Sequence, residues 1–288
     1  MASIASTFPI KNGADPINSG LVGAWMLSEG AGALAVDWSG RKNAGTLQGF
    51  TGSMRSSGLK GRTLTLNGTS QWVSVGNDVM STINGGTAIT ITGWFKGTNS
   101  QSFVRLQDNL GSNGYVVFPY KGGGATRGIV STDGGTIGLN FVANIEDGAW
   151  HFIAMTWKTF TTNGWVQYVD GKVDSQQNSG NVTLQTAGTT GPYFGVYGGG
   201  PAEFTNGSLS NIRIYNRVLS AQEIRRLYVN PFAGVLLPGT RFRLIPGGAA
   251  LGAFQADSFE NDAFQTVAVP PPVGVVSVNR LMLLGVGA

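Results

Sequence analysis

The stretch Gly207-Ser-Leu-Ser-Asn-Ile-Arg-Ile-Tyr-Asn-Arg-Val-Leu-Ser-Ala-Gln-Glu-Ile-Arg-Arg-Leu-Tyr228 decides the fold. Its first half, Leu209–Tyr215, is rich in β-branched and aromatic residues and predicts a strand. Its second half opens on Ser220-Ala-Gln-Glu223, the spacing of a capping box. The Ser220 hydroxyl can accept from the Glu223 amide while Glu223 reaches back. Ile224, Leu227 and Tyr228 then fall on one helical face, and Pro231 ends the helix. The rest of the chain predicts strands and turns.

Working back from that block, short apolar runs alternate with Gly and Asn. Leu21–Leu27 centres on Trp25. Ala88–Phe95 places Ile89, Ile91 and Gly93 on one face. Trp150–Trp157 sets Phe152 and Ala154 opposite Ile153, Met155 and Trp157. Tyr115–Phe118, Trp165–Val169 and Tyr193–Tyr197 are further strand signals. Asn67-Gly68, between Leu64–Leu66 and Trp72–Val75, predicts a hairpin, as does Asp170-Gly171. Many short strands with turn residues between them indicate a two-sheet antiparallel sandwich with one short helix near its C-terminal end.

Composition agrees. Charged residues are 12% of the 288, and Gly numbers 45. An apolar share of 41% supplies a core and is incompatible with disorder. The net charge of +4 is scattered, without a basic run, so nucleic-acid binding is not expected. The absence of Cys removes disulfides and thiolate metal sites. No run of about 18 apolar residues occurs, so no membrane partner is expected. The first ten residues lack a basic start and an apolar stretch, and the chain is expected to stay in the cytoplasm where it is made, leaving by lysis or within a particle.

The pattern resembles the laminin-G-like, concanavalin A-like jelly rolls. Leu21–Gly30 is similar to their opening strand. Asp37-Trp-Ser-Gly40 with Asn43 and Gly45 is similar to their Asp-x-Ser-Gly-x-x-Asn-x-Gly turn, and Leu64–Val75 to the hairpin that follows. Thr90–Phe95 resembles a strand ending in Trp. Trp150-His-Phe-Ile-Ala154 with Tyr168-Val-Asp-Gly171 resembles a further hairpin, and Gly207–Tyr228 the closing strand and helix. The resemblance covers about residues 20–230. It implies a jelly-roll fold, binding of carbohydrate or protein, and calcium at the sandwich rim, with no other cofactor required. Asp37 and Asn43 are the metal-ligand candidates by that likeness; the alternative is that Asp37 caps its own turn. Chains without signal or disulfide also resemble bacteriophage virion proteins.

The domain organisation expected is an N-terminal arm (1–20), a jelly roll (21–231) and an extended C-terminal assembly segment (232–288). The last segment combines Gly- and Pro-rich spacers with apolar strips and an echo, Ala253-Phe-Gln255 and Ala263-Phe-Gln265. Phe232, Phe254, Phe259 and Phe264 are its candidate assembly residues, because exposed apolar strips mark partner surfaces. The expected function is a non-enzymatic virion structural protein, a capsid decoration or fibre-like component, meeting other virion proteins or copies of itself. A carbohydrate-binding module for host glycans is the alternative, with Trp38, Tyr120 and Tyr197 as its candidate platform, since aromatic rings offer apolar faces with polar edges.

Glycoside hydrolysis requires two carboxylates about 5–10 Å apart. Glu146 and Asp147 are adjacent, so a strand would point them to opposite faces. Asp257, Glu260 and Asp262 lie outside the matching region. His151 is the sole histidine, and no Gly-x-Ser-x-Gly elbow accompanies it. Lys121-Gly-Gly-Gly124 lacks the rest of a phosphate loop. No enzymatic activity is expected.

Overall fold

The computed structural model describes residues 15–235, apart from residues 30–31, 51–54, 59–60, 77, 101, 107–115, 123, 133–134, 181–183, 185–190 and 198–203. A 3-10 turn (Pro16–Asn18) leads into β1 (Leu21–Trp25), β2 (Leu34–Ala35), β3 (Gly45–Gln48), β4 (Arg55–Gly58), β5 (Gly61–Asn67) and β6 (Trp72–Val75). Helix α1 (Asp78–Ile83) follows, then β7 (Ala88–Asn99), β8 (Val104–Leu106), β9 (Val116–Gly122), β10 (Ala125–Thr132) and β11 (Gly135–Asn140). The chain continues through β12 (Trp150–Lys158), β13 (Trp165–Val169), β14 (Lys172–Gln177), β15 (Tyr193–Phe194), β16 (Asn206–Tyr215) and α2 (Ala221–Val229).

Alternation along β12 shows how the strands build two layers. Ile153, Met155 and Trp157 enter the main core between the sheets. Phe152 and Ala154 enter a second apolar layer on the opposite face. Paired with it, β7 sends Ile89, Ile91 and Phe95 inward and Trp94 outward. Gly93 sits at the inward position between Ile91 and Phe95. A methyl group there would lie 2.3 Å from the Phe103 ring, so glycine is what lets that ring into the core. Trp25, Trp157 and Trp165 are fully buried. Each removes about 150–250 Å² from water, a gross gain of roughly 4–6 kcal/mol.

The first sheet runs β14-β13-β12-β7-β16-β5-β4, with β1 added on β16; the second runs β11-β10-β9-β8-β15-β6-β3-β2. Every pairing is antiparallel. This is the expected two-sheet sandwich. Among the described residues no helix is long and apolar enough to cross a membrane.

Helix α2 covers the outer face of the first sheet. Its capping box is present: Ser220 Oγ accepts from the Glu223 amide at 3.3 Å, and Glu223 Oε2 accepts from the Ser220 amide at 2.8 Å. Ile224 and Leu227 are buried on the second layer, and Tyr228 stacks on Trp94 at 5.7 Å. The same layer receives chain from both ends of the described region. Ile17 and Leu21 come from the N-terminal end, Ala233 and Val235 from the C-terminal end. Arg213, fully buried, donates to the carbonyls of Pro231 and Ala233. Asn18 donates to Gly234 O at 2.8 Å.

The two predicted hairpins part company. Asp170 and Gly171 both have positive φ (51° and 75°), as a two-residue primed turn needs, and β13 pairs with β14 across them. Asn67-Gly68 is not a hairpin. Only Gly68 has positive φ, and β5 belongs to the first sheet while β6 belongs to the second. Asn67 Oδ1 instead accepts from the Thr69 and Ser70 amides, forming an arch. Leu64 and Leu66 thus meet Val73 and Val75 across the core from opposite sheets. Helix α1 is a second helix that the sequence pattern did not signal. It buries Val79, Met80 and Ile83 in a span of six residues, too short for a helical period to emerge.

Candidate functional site

The outer face of the second sheet carries a row of aromatic side chains. Its position follows from the core pattern: Val73, Phe194, Val104 and Phe118 point inward, so their neighbours face out. Trp72 on β6 is one. Tyr193 on β15 is another, directly opposite Ser74 of β6 and Arg105 of β8. The Trp72 and Tyr193 rings meet edge to face, with centroids 5.2 Å apart.

Tyr120 joins this face through a bulge. Simple alternation would place it inside with Phe118. However, Val117 pairs with Ile129 and Tyr120 pairs with Arg127, so Phe118 and Pro119 together oppose the single residue Gly128. The extra residue turns Tyr120 outward, and Pro119 suits such a position because it has no N–H to pair. Tyr120 stacks on Tyr197 with centroids 4.3 Å apart, and the Arg105 guanidinium lies 4.7 Å above the Tyr197 ring. The row Trp72, Tyr193, Arg105, Tyr197, Tyr120 therefore spans four neighbouring strands. Its length is three interstrand steps, about 14 Å. All four aromatic residues are half-buried. Gln48, opposite Trp72, and Ser74 add hydrogen-bonding groups beside the rings.

Two of the three candidate platform residues, Tyr120 and Tyr197, are thus in contact. Trp38 is not with them. It packs against the second apolar layer, on the other side of the sandwich. Trp72, Tyr193 and Arg105 were not singled out from sequence. Trp72 was legible as the outward neighbour of core residues Val73 and Val75, whereas Arg105 sits in a run too short to show alternation.

Asp37 and Asn43 do not fit a calcium site. The Asp37 carboxylate is buried and accepts from the amides of Ala24 (3.0 Å), Ser39 (2.9 Å) and Asn43 (2.9 Å) and from Ser39 Oγ (2.8 Å). Asn43 donates its side-chain amide to Val22 O and accepts from Trp25 Nε1 on its backbone carbonyl. Calcium needs six to eight oxygens aimed at it; these face N–H and O–H donors instead. Asp37 does what the alternative reading supposed: it caps and locks its own turn. Among the described residues no cluster of three or more His, Asp or Glu side chains could hold a metal.

Glu146, Asp147 and Asp170 are also engaged. Glu146 accepts from Lys121 Nζ (2.8 Å) and from Ser100 N and Oγ (2.6 and 2.7 Å). Burial works against its charge, but these donors outweigh it and hold its pKa below the ordinary value. His151 lies between two carboxylates, with Nδ1 3.0 Å from Asp170 and Nε2 3.1 Å from Asp147. Neither ring nitrogen is left for a serine hydroxyl, so no nucleophilic triad forms around it. Phe232 is half-buried against the second layer of its own domain. Phe254, Phe259 and Phe264 lie outside the described residues.

A family model described as the concanavalin A-like lectin/glucanases superfamily matches residues 67–225, more than half of the chain. The chain belongs to that superfamily. The matched span runs from the arch after β5 to the first turn of α2 and includes every residue of the aromatic row. Among curated relatives, this superfamily member is 32% identical over 90 residues to the sushi, von Willebrand factor type A, EGF and pentraxin domain-containing protein 1 of Rattus norvegicus, and 31% identical to its Mus musculus counterpart. The match covers 29% of the chain and 2% of the rat protein, so it touches a small fraction of that relative's length. Similar solved structures include domain 4 of AbnA, a GH43 extracellular arabinanase from Geobacillus stearothermophilus, in complex with arabinotriose. The TM-score is 0.54 and the identity 18%, over 72% of this chain and 98% of that one. The binding domain of Paraclostridial Mosquitocidal Protein 1 gives 0.54 at 18% identity, covering 75% and 53%. The binding domain of botulinum neurotoxin DC in complex with SialylT gives 0.55 at 14%, covering 74% and 52%. At these identities the likeness is one of fold.

Proposed function

We infer that this chain is a non-catalytic glycan-binding module whose platform is the aromatic row on the second sheet. The observation that carries this is the Tyr120–Tyr197 stack, continued through Arg105 to the Tyr193–Trp72 pair. Sugar rings present apolar C–H faces and polar edges, and a row of half-buried aromatic rings flanked by Gln48 and Ser74 complements both. The setting supports the reading: two of the similar solved domains are described in complex with a ligand, arabinotriose in one and SialylT in the other. The engagement of Asp37, Glu146, Asp147 and Asp170 by protein donors supports the absence of a hydrolytic carboxylate pair. This reading is preferred to the virion-assembly role because the similar solved structures include binding domains and a domain in complex with arabinotriose.

A glycan array with the full chain tests it, repeated with Trp72→Ala and Tyr120→Ala. The expected result is binding to a subset of oligosaccharides that falls at least about tenfold in either variant, as loss of a stacking ring implies. Binding that ignores both substitutions overturns the site. No binding to any glycan overturns the function.

A further inference from the structure

A second groove lies on the opposite side of the sandwich, between α2 and the edge strand β14. Its volume is about 430 Å³, within the range of small-molecule sites. Ala143, Val169, Val173 and Tyr228 give it apolar walls; Asp170, Asp174, Lys172 and Arg225 give it charge. The groove lies where α2, packed over Trp94, Phe152 and Tyr168 of β7, β12 and β13, meets β14. Val173, 54% exposed, is left uncovered beside it.

The charges are not equivalent. Asp170 accepts from Phe152 N and is bound to His151; Asp174 accepts from the amides of Val142 and Ala143 at 2.9 and 2.8 Å. Each carboxylate has about four lone-pair sites, so each keeps room for a hydroxyl donor. Lys172 and Arg225 are both exposed. Among the described residues neither is held in an ion pair or side-chain hydrogen bond. The groove therefore offers unpaired cations, spare carboxylate acceptors and an apolar wall together.

The geometry points to this groove as a binding site for an acidic sugar, a hexuronate unit of an oligosaccharide. That ligand carries the three matching parts: a carboxylate for Lys172 and Arg225, hydroxyls for Asp170 and Asp174, and a C–H face for Val173 and Tyr228. Arg225 is suited to fork onto a carboxylate, with Lys172 as a second point charge. The inference deepens the glycan-binding reading but uses different residues, so the two can fail separately.

The test is isothermal titration of the full chain with a galacturonate trimer, the matching neutral galactose trimer and acetate. The variants are Lys172→Ala/Arg225→Ala and, separately, Trp72→Ala. All three substituted side chains are outside the main core, and circular dichroism confirms folding. The acidic trimer is expected to bind the parent and Trp72→Ala alike and to lose about tenfold or more in the double variant. Its binding is expected to weaken as salt rises to about 0.5 M. Acetate alone is expected to compete poorly, since it lacks the hydroxyls and the ring face. Equal binding of acidic and neutral trimers, full competition by acetate, or an unaffected double variant each overturns the proposal. Loss of acidic-trimer binding in Trp72→Ala assigns it to the aromatic row and also overturns it.

Discussion

Arg226 on the last turn of α2 grips Asp15 with both guanidinium nitrogens, at 2.7 and 2.5 Å, across 211 residues of sequence. Asp15 is nearly buried, while the Arg226 side chain is 45% exposed. The Asp15 carboxylate also accepts from Ile17 N at 3.0 Å, so it fixes the 3-10 turn and the helix at once. The Arg226 hydrogen bonds hold its pKa below the ordinary carboxylate value, against the opposing effect of burial. Asp15→Ala is expected to cost about 1–2 kcal/mol, discounted for the exposed arginine. A group with a depressed folded pKa stabilises above its unfolded pKa of about 4 and loses that contribution as pH falls through the folded value. In denaturant titrations the stability difference between parent and variant should therefore be smaller at pH 3 than at pH 7.

Arg213 ties the segment after α2 to the sandwich. It is fully buried and donates to the carbonyls of Pro231 and Ala233. A chain ending at Asn230 leaves that guanidinium without either acceptor and removes Ala233 and Val235 from the second layer. One ending at Val235 keeps all of these. Breaking a buried charge from its partners costs about 3–5 kcal/mol. The shorter chain is expected to melt at least about 6 °C below the longer one; equal melting temperatures would falsify this role of Arg213.

Asp37→Ala removes the acceptor for four donors in a buried turn. Three of these are backbone amides, which then lack a partner, and the expected loss is about 3 kcal/mol. A chelator is expected to leave the melting temperature of the parent unchanged. A chelator-induced drop comparable to the effect of the substitution would restore the metal reading of this turn.

What the sequence made legible followed from local rules. The capping box at Ser220, the alternation of β12 and the Asp170-Gly171 turn are each decided within ten residues. The closing block therefore located α2 and its strand. What stayed hidden depends on pairing between distant segments. Asn67-Gly68 looks like a hairpin because the turn chemistry is right, yet sheet membership is set by the core that Leu66 and Val73 share from opposite sides. Tyr120 turns outward only through the bulge opposite Gly128. The groove beside β14 depends on how far α2 extends across the sheet. None of these leaves a mark in a window of sequence.

His151 links the loop carrying Asp147 to the Asp170-Gly171 turn. Burial opposes its charged form, but the hydrogen bonds to Asp170 and Asp147 outweigh burial and the net shift is upward from 6.5. A histidine with a raised folded pKa contributes stability that is fully present below its unfolded pKa and is lost as pH rises through the folded value. The parent is therefore expected to lose this contribution once pH passes above about 6.5. His151→Gln keeps a donor for one carboxylate but carries no proton to lose, so its profile over the same window should be flat by comparison. The measurement is ΔG of unfolding by urea between pH 5.5 and 8.5 for both proteins. The difference between them should shrink with rising pH, and a difference that stays constant or grows sinks the assignment.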